Sequence, residues 1–189
     1  MGIEVNPVST HWNYFLCLED DIAELARWIE LTDKNFSCYS IELARLLMTA
    51  SAEVDVIAKL ICKKLKPDED AEGINGYQAI LTEAFPQFHK TSADIPKFGL
   101  KLHPWVNWSA AKNPPFWWMA NNKVKHHRAT DFHQATLKNV LNSVAGLLHL
   151  LIIYHGELKV PYESMPKLFL TNSFCVTIGG NIMYMPNKT

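Results

Sequence analysis

Residues 40–66, SIELARLLMTASAEVDVIAKLICKKLK, carry the pattern that decides the fold of this chain. Apolar residues recur along this stretch at alternating steps of four and three, at Leu43, Leu47, Ala50, Val54, Ile57 and Ile61. The spacing predicts a long helix that packs its apolar face along a second long helix. Pro67 cannot continue the helix and marks its end. Glu53 borders the apolar face, where we expect a solvated or capping carboxylate, with contact to a basic site as the alternative.

Four further helices are predicted from similar periodicity, over residues 11–31, 76–85, 116–126 and 130–155. Thr10 is expected to cap the first of them, and Thr130 or Asp131 the last. The first helix and the helix of residues 40–66 are expected to pair as two long antiparallel helices. The last helix is expected to have a polar face, formed by Lys138, Asn139, Asn142 and Ser143.

Two regions depart from the helical pattern. Five of the ten prolines fall between Pro86 and Pro115, which predicts an irregular Trp/Pro-rich insertion over about residues 67–115. Residues 174–185, FCVTIGGNIMYM, place β-branched and aromatic residues around two glycines, as is typical of a β-hairpin. We therefore expect an all-α helical domain over residues 1–160 and a C-terminal extension with a β-hairpin over residues 161–189.

The composition is that of an ordinary globular domain. The chain has 189 residues, of which 48% are hydrophobic and 20% charged, and this excludes a disordered chain. The four cysteines are widely spaced and suggest reduced thiols rather than a disulfide framework. No secretory signal is evident, and the longest apolar run, residues 144–154, is too short to span a bilayer. We expect a soluble cytoplasmic protein that does not bind a membrane.

The candidate functional site lies in residues 104–134, PWVNWSAAKNPPFWWMANNKVKHHRATDFHQ. No acidic residue occurs between Asp94 and Asp131, although the chain as a whole has a formal net charge of −1. Six basic residues fall in that interval: Lys97, Lys101, Lys112, Lys123, Lys125 and Arg128. Local positive charge of this kind predicts an anionic partner.

Polar and aromatic side chains are spaced for contact with RNA within this segment. Trp118, Asn122 and His126 are four residues apart, so on one helix they form a single row, which Lys125 borders. His126 could transfer a proton near neutral pH, while Lys125 or Arg128 stabilises negative charge on a phosphate. Further RNA contacts are expected from Lys112, Lys123 and His127.

The tryptophans and histidines of the segment allow alternative interpretations. Trp105, Trp108 or Trp118 could stack on an unpaired base, although clustered tryptophans are more often structural. His126, His127 and His133 are close in sequence, but no carboxylate or cysteine completes a familiar metal-ligand spacing. We expect no metal. Nucleotide-binding glycine motifs are absent from the sequence, so no cofactor is expected either.

The order of parts over residues 11–155 resembles the HEPN superfamily of small α-helical domains. Within it, the sequence looks like a bacterial lineage with a Trp-Trp pair followed by Asn-Lys-Val-Lys-His-His-Arg, here within Trp117 to Arg128. The resemblance implies an RNA-acting protein and, where the catalytic motif is complete, a metal-independent endoribonuclease of a toxin–antitoxin or antiviral defence system. It also implies a homodimer with a site composed across the two-fold axis, and an antitoxin or other protein as a possible partner.

Active HEPN ribonucleases carry an arginine followed, after four to six residues, by a histidine, and the residue directly after the arginine is commonly polar. Two placements of this motif are possible. In the favoured one, His126 takes the histidine position and Asn122 the polar position, with Asn121 where the arginine is expected. In the other, Arg128 and His133 satisfy the spacing. The missing arginine of the favoured placement leaves a non-catalytic helical module that binds RNA or a protein as the alternative function.

Overall fold

A computed structural model describes residues 9–156, 158–161, 165–171, 174–178 and 181–185. Within them lie six α-helices: α1 (Thr10–Leu25), α2 (Ile41–Leu65), α3 (Gly73–Ala84), α4 (Phe116–His126), α5 (Arg128–Asp131) and α6 (Leu137–His155). The strands are β1 (Ala93–Ile95), β2 (Leu100–Leu102), β3 (Leu158–Pro161), β4 (Leu170–Thr171), β5 (Phe174–Ile178) and β6 (Asn181–Met185). The fold is mainly helical, as predicted. It is not purely α-helical, because short strands form small antiparallel sheets.

The central pair of helices is α2 and α6. They begin side by side, because the Leu137 N–H donates to the Cys38 carbonyl at 2.9 Å and the Lys138 N–H to the Phe36 carbonyl at 3.2 Å. At the other end, Lys64 acts electrostatically on His155. The two helices therefore run parallel. The expectation that α2 packs mainly along α1 is wrong: the long apolar face of α2 is covered chiefly by α6.

The direction of α1 agrees with the prediction. Asp21 near its end pairs with Arg45 near the start of α2 at 2.9 Å, and His11 at its start pairs with Glu53 further along α2. These two contacts make α1 antiparallel to α2. Glu53 is thus held by His11 and its side chain is 14% exposed, so the expectation of a solvated carboxylate is wrong.

The predicted boundaries of α2 and α4 are correct to within about one residue, whereas those of the other helices differ from the structure. Ser40 caps α2 by accepting from the Leu43 N–H at 3.1 Å. The cap of α1 is Ser9 rather than Thr10, and α1 ends at Leu25 rather than at residue 31 because residues 26–29 form turns. The last helix begins at Leu137 with Thr136 as its cap, not at Thr130 or Asp131.

The late start of α6 has a tertiary cause. Tyr39, just before α2, forms an isolated antiparallel bridge with Thr136, which holds that residue in an extended conformation. The Asn139 side-chain amide also donates to the Gln134 carbonyl at 2.8 Å and closes the turn before the helix. A continuous helix through residues 130–137 would lose both interactions.

The predicted polar face of α6 does not exist as such. Lys138 is exposed, but Asn139, Asn142 and Ser143 are at most 8% exposed. Their side chains donate to the backbone carbonyls of Gln134, Lys138 and Val140, respectively, which satisfies these groups locally. By length and composition α6 could cross a membrane, yet 83% of its most apolar window is buried inside the protein. It is a core helix here.

The Pro-rich segment and the C-terminal residues are joined in one sheet. β1 pairs antiparallel with β2 and with β4, so residues 170–171 extend a sheet that starts in the predicted insertion. Leu168 and Phe169, which lie in the predicted C-terminal extension, are buried, and their backbone N–H groups donate to Glu19 of α1. β5 and β6 pair antiparallel, as the predicted hairpin requires, and β6 also pairs with β3.

A buried histidine links α6 to the Pro-rich segment. His149 is 3% exposed, its Nε2 lies 3.2 Å from the Ser92 carbonyl oxygen, and its Nδ1 lies 3.1 Å from Thr91 Oγ1. In a neutral ring Nε2–H can donate to the Ser92 carbonyl, whereas the single proton of the Thr91 hydroxyl is also within reach of the Phe88 carbonyl at 2.8 Å. Burial, opposed in part by the Ser92 hydrogen bond and aided by the charge of His103, lowers the pKa of His149 to about 4.

Stability is therefore expected to fall in mild acid. The unfolded chain binds a proton at the ordinary histidine pKa of about 6.5, whereas the folded chain does not until about pH 4. The contribution of the neutral His149 ring to the free energy of unfolding is fully present above about pH 6.5. It falls by about 3 kcal/mol in all as the pH decreases towards 4. Urea unfolding of wild type and His149→Gln at pH 7.5, 5.5 and 4.5 measures it. Equal pH dependence of the two proteins would contradict this assignment.

Candidate functional site

The candidate site is built on α4. Pro114 and Pro115 lead into this helix, and Pro115 is its cap residue. Its buried residues are Trp117, Ala120, Asn121 and Val124, a spacing that turns one face towards α2 and α6. The opposite arc is left to solvent, as the sequence pattern predicted.

The exposed arc carries the predicted row. Asn122, Lys125 and His126 are exposed, and Trp118 is half-buried with its ring 6.0 Å from that of Trp117. Lys123 is also exposed, as are the two residues that follow the helix, His127 and Arg128. We call the five residues Lys123, Lys125, His126, His127 and Arg128 the basic face.

The charges of the basic face are not paired with any carboxylate of the described residues. In the part of the chain that the structure describes, none of its lysines forms an ion pair, and the Arg128 guanidinium donates to the Met48 sulfur at 3.1 Å. Asp131 lies nearby, but its carboxylate accepts from the Thr130 hydroxyl at 2.7 Å. An anion that binds here does not have to displace an internal carboxylate.

Not all six basic residues of the acid-free segment belong to this surface. Lys97 and Lys101 lie in the β1–β2 unit, where Lys101 is 4.0 Å from Asp94 and Lys97 lies over the Phe98 ring. Lys112 is exposed in the loop before α4. Lys138, which the sequence placed on a polar helix face, lies over the Phe116 ring at the start of α4. It adds a positive charge beside α4 that sequence reasoning missed.

Two of the three tryptophans proposed for base stacking are not available. Trp105 and Trp108 are 0% and 3% exposed, and their ring centroids are 4.4 Å apart. Trp117 packs edge-on against Trp105, and its Nε1–H donates to the Pro104 carbonyl at 2.8 Å. This cluster is part of the core. Only Trp118, at the edge of the exposed arc, retains accessible ring surface.

The two placements of the histidine motif differ in the structure. His126 stays on the exposed row with Asn122, although within the described residues no hydrogen bond orients its ring. His133 lies beyond α5 in a 3₁₀ turn, where its Nε2 is 2.8 Å from the Gln134 amide nitrogen. No hydrogen bond connects Arg128 with His133 among the described residues. The first placement thus keeps its residues on one exposed helix surface, whereas the second divides them between two short helices.

Metal binding finds no support among the described residues. They contain no group of three or more His, Cys, Asp or Glu side chains placed to hold a metal ion. The three histidines close in sequence, His126, His127 and His133, do not form such a group.

Comparison with protein-family models, with curated proteins and with solved structures gives no match. The relation to the HEPN superfamily therefore stays a prediction. This prediction depends on the order of the helices and on residues 117–128. It did not include the parallel packing of α6 against α2.

A second group of chemically active side chains lies at the far end of the bundle, where α1 begins and α6 ends. It comprises Ser9, His11, Glu53, Tyr154 and His155, which we call the histidine cluster. His11 Nδ1 is 2.5 Å from Glu53 Oε1, and His155 Nε2 is 3.0 Å from Ser9 Oγ. Ser9 and His155 are 146 residues apart in the chain, so local sequence patterns could not indicate that they meet. Of the five residues, the sequence analysis singled out only Glu53.

Proposed function

We propose that this protein binds single-stranded RNA through the basic face of α4. The observation that carries the proposal is the set of exposed, unneutralised cationic groups on one helix end, within a segment free of acidic residues. Lysine and arginine side chains placed in this way neutralise phosphates and release counterions. A basic surface alone does not select RNA, so the neighbouring groups matter.

The residues beside the basic face supply that selection. Trp118 is half-buried and has ring surface on which an unpaired base can stack. Asn122 lies one turn further along the same row and offers an amide to a base edge or a ribose hydroxyl. The resemblance to the HEPN superfamily, whose members act on RNA, supports the same choice.

A second candidate function is metal-independent cleavage of the bound RNA. It is favoured by one observation, the exposed row of Asn122, Lys125 and His126 on α4. In this reaction the ribose 2′-oxygen attacks the adjacent phosphorus, the 5′-oxygen leaves, and a 2′,3′-cyclic phosphate and a 5′-hydroxyl result. His126 would transfer the proton, and Lys125 and Arg128 would stabilise the charge on the phosphate. A homodimer would double these groups around one phosphodiester.

Charge removal on the basic face is expected to weaken RNA binding and its dependence on salt. The double variant Lys123→Gln/Lys125→Gln should lose about tenfold in affinity at moderate salt, and the slope of log K against log salt should become shallower by about 1.4. Lys34→Gln/Lys59→Gln removes the same charge from exposed positions elsewhere and is the matched control. Fluorescence anisotropy with a mixed-sequence single-stranded RNA measures both. The same loss in both variants would refute the assignment to α4.

Cleavage is tested separately from binding. Wild type incubated with RNA and EDTA is expected to produce fragments ending in 2′,3′-cyclic phosphate, and His126→Ala is expected to abolish them while RNA still binds. Persistent cleavage by His126→Ala, or intact RNA with wild type, leaves the binding module as the function. Sedimentation at low and high salt, with and without RNA, tests the homodimer, and a monomer under all four conditions rejects the composite site.

A further inference from the structure

The histidine cluster lies outside the proposed RNA surface. α6 has 19 residues, so its ends are about 28 Å apart, and the α4 basic face lies near its start while His155 lies at its end. The cluster brings together three helices: Ser9 and His11 from the start of α1, Glu53 from α2, and Tyr154 and His155 from α6. The Tyr154 ring contacts both imidazoles edge-on, at 5.9 Å from His11 and 5.0 Å from His155.

The cluster is accessible and has unused hydrogen-bonding atoms. The side chains of His11 and Glu53 are 30% and 14% exposed, and His155 is partly exposed. Each imidazole uses one nitrogen within the cluster, Nδ1 in His11 and Nε2 in His155. The second nitrogen of each ring has no hydrogen-bond partner among the described residues. Both rings can therefore donate to a ligand when they are protonated.

The charge of the cluster depends on the protonation of its two histidines. Burial first, and then the charges of His11 and Lys64, lower the pKa of His155. Lys64 lies on the same face of α2 as Glu53, eleven residues or about three turns further on, and its side chain is exposed. Glu53 is the one carboxylate in contact with the described residues of the cluster. With both histidines protonated, the three cations and one anion sum to +2.

This charge and these donors match a particular ligand chemistry. We propose that Ser9, His11 and His155, aided by the positive charge of Lys64, bind the dianionic phosphate of a phosphomonoester. A phosphomonoester carries a charge of about −2 near neutral pH, and its three terminal oxygens accept hydrogen bonds. The anion relieves the repulsion between the three cationic groups, which is the reason that binding and protonation of the histidines are coupled.

The hydroxyl of Ser9 has a positioning function here rather than a nucleophilic one. It accepts from the Trp12 N–H at 3.3 Å as the cap of α1 and lies against His155 Nε2. The start of α1 is thereby attached to the end of α6. Glu53 in turn fixes the His11 ring, so that its Nε2 is directed away from α2.

The test is a titration of the whole protein with inorganic phosphate, followed through the imidazole C–H signals in NMR. The signals of His11 and His155 are expected to move, and calorimetry is expected to show uptake of protons, because the pKa of His155 is lowered in the free protein and rises beside an anion. His155→Gln and the surface variant Lys64→Gln should each weaken binding by about tenfold or more. His89→Gln is the matched control, and Lys123→Gln/Lys125→Gln, which changes a different surface, should leave the phosphate-dependent shifts of the His11 and His155 signals as in wild type.

Further ligands show whether the bound phosphate belongs to an RNA end or to a small metabolite. Ribose 5-phosphate is compared with inorganic phosphate, and a short RNA with a 5′-phosphate is compared with its 5′-hydroxyl form. If the 5′-phosphate increases the affinity for RNA and Lys64→Gln removes this increase, the site binds an RNA end. If ribose 5-phosphate binds but the 5′-phosphate of the RNA has no effect, the site binds a small metabolite. Unmoved His11 and His155 signals, or unchanged affinity in both His155→Gln and Lys64→Gln, would overturn the proposal.

Discussion

Replacing Glu19 by alanine is expected to lower the free energy of unfolding by about 3 to 5 kcal/mol. The carboxylate is 2% exposed and accepts three backbone hydrogen bonds, from Lys167 at 2.9 Å, Leu168 at 2.7 Å and Phe169 at 2.9 Å. Without it, three amides in a buried segment lose their acceptor. The Phe169 ring, packed against Phe15 in the core, loses the backbone contacts that hold it there.

The matched control for this change is Glu24→Ala, on the same helix but exposed, which is expected to alter stability by less than about 0.5 kcal/mol. Urea unfolding gives both values. Hydrogen exchange should also show lost protection at residues 167–169 in the Glu19 variant. If the two alanine variants unfold at the same urea concentration, the carboxylate does not hold the C-terminal segment on α1.

The second large effect is expected at Gly146, in the middle of α6. A Cβ at this position would lie 3.2 Å from Trp117 Cζ2, 3.3 Å from Trp105 Cζ2 and 3.5 Å from Pro104 Cβ. Both indoles are fully buried and cannot move away without displacing the core. Gly146→Val adds two methyl groups beyond the Cβ, and we expect it to cost about 3 kcal/mol through overpacking.

Gly146→Ala is the informative comparison. The gain of about 1 kcal/mol from replacing glycine inside a helix offsets the small displacement of the indoles, so the net change is expected to be less than about 1 kcal/mol. Urea unfolding measures stability, and tryptophan fluorescence reports on the indoles. A valine variant as stable as wild type would mean that α6 does not approach the Trp105–Trp117 cluster this closely.

Local sequence patterns were sufficient for several parts of the fold and of the site. The steps of four and three residues along 40–66, with Ser40 before them and Pro67 after them, predicted α2. Pro114 and Pro115, followed by apolar positions at helical spacing, predicted α4 and with it the exposed row of Asn122, Lys125 and His126. These features depend on residues a few positions apart, where backbone geometry alone determines which side chains share a face.

Other features could not be read from local patterns. Whether a tryptophan stacks on a ligand or fills the core depends on its neighbours in space. The burial of Trp105 and Trp108 follows from Phe88 and Trp117, which pack around them. Likewise Thr136, rather than Thr130, caps the last helix because Tyr39 pairs with it.

Local sequence patterns alone placed α2, α4 and the exposed basic residues at the end of α4. The packed fold was needed to show that α6 is the principal partner of α2, that Glu19 holds residues 167–169, and that Ser9, His11, Glu53 and His155 meet. An apolar stripe along a helix shows that this face is buried, but it does not identify the element that covers it. Contacts between residues more than a hundred positions apart, such as Glu19 with Leu168, arise only when all the helices have packed.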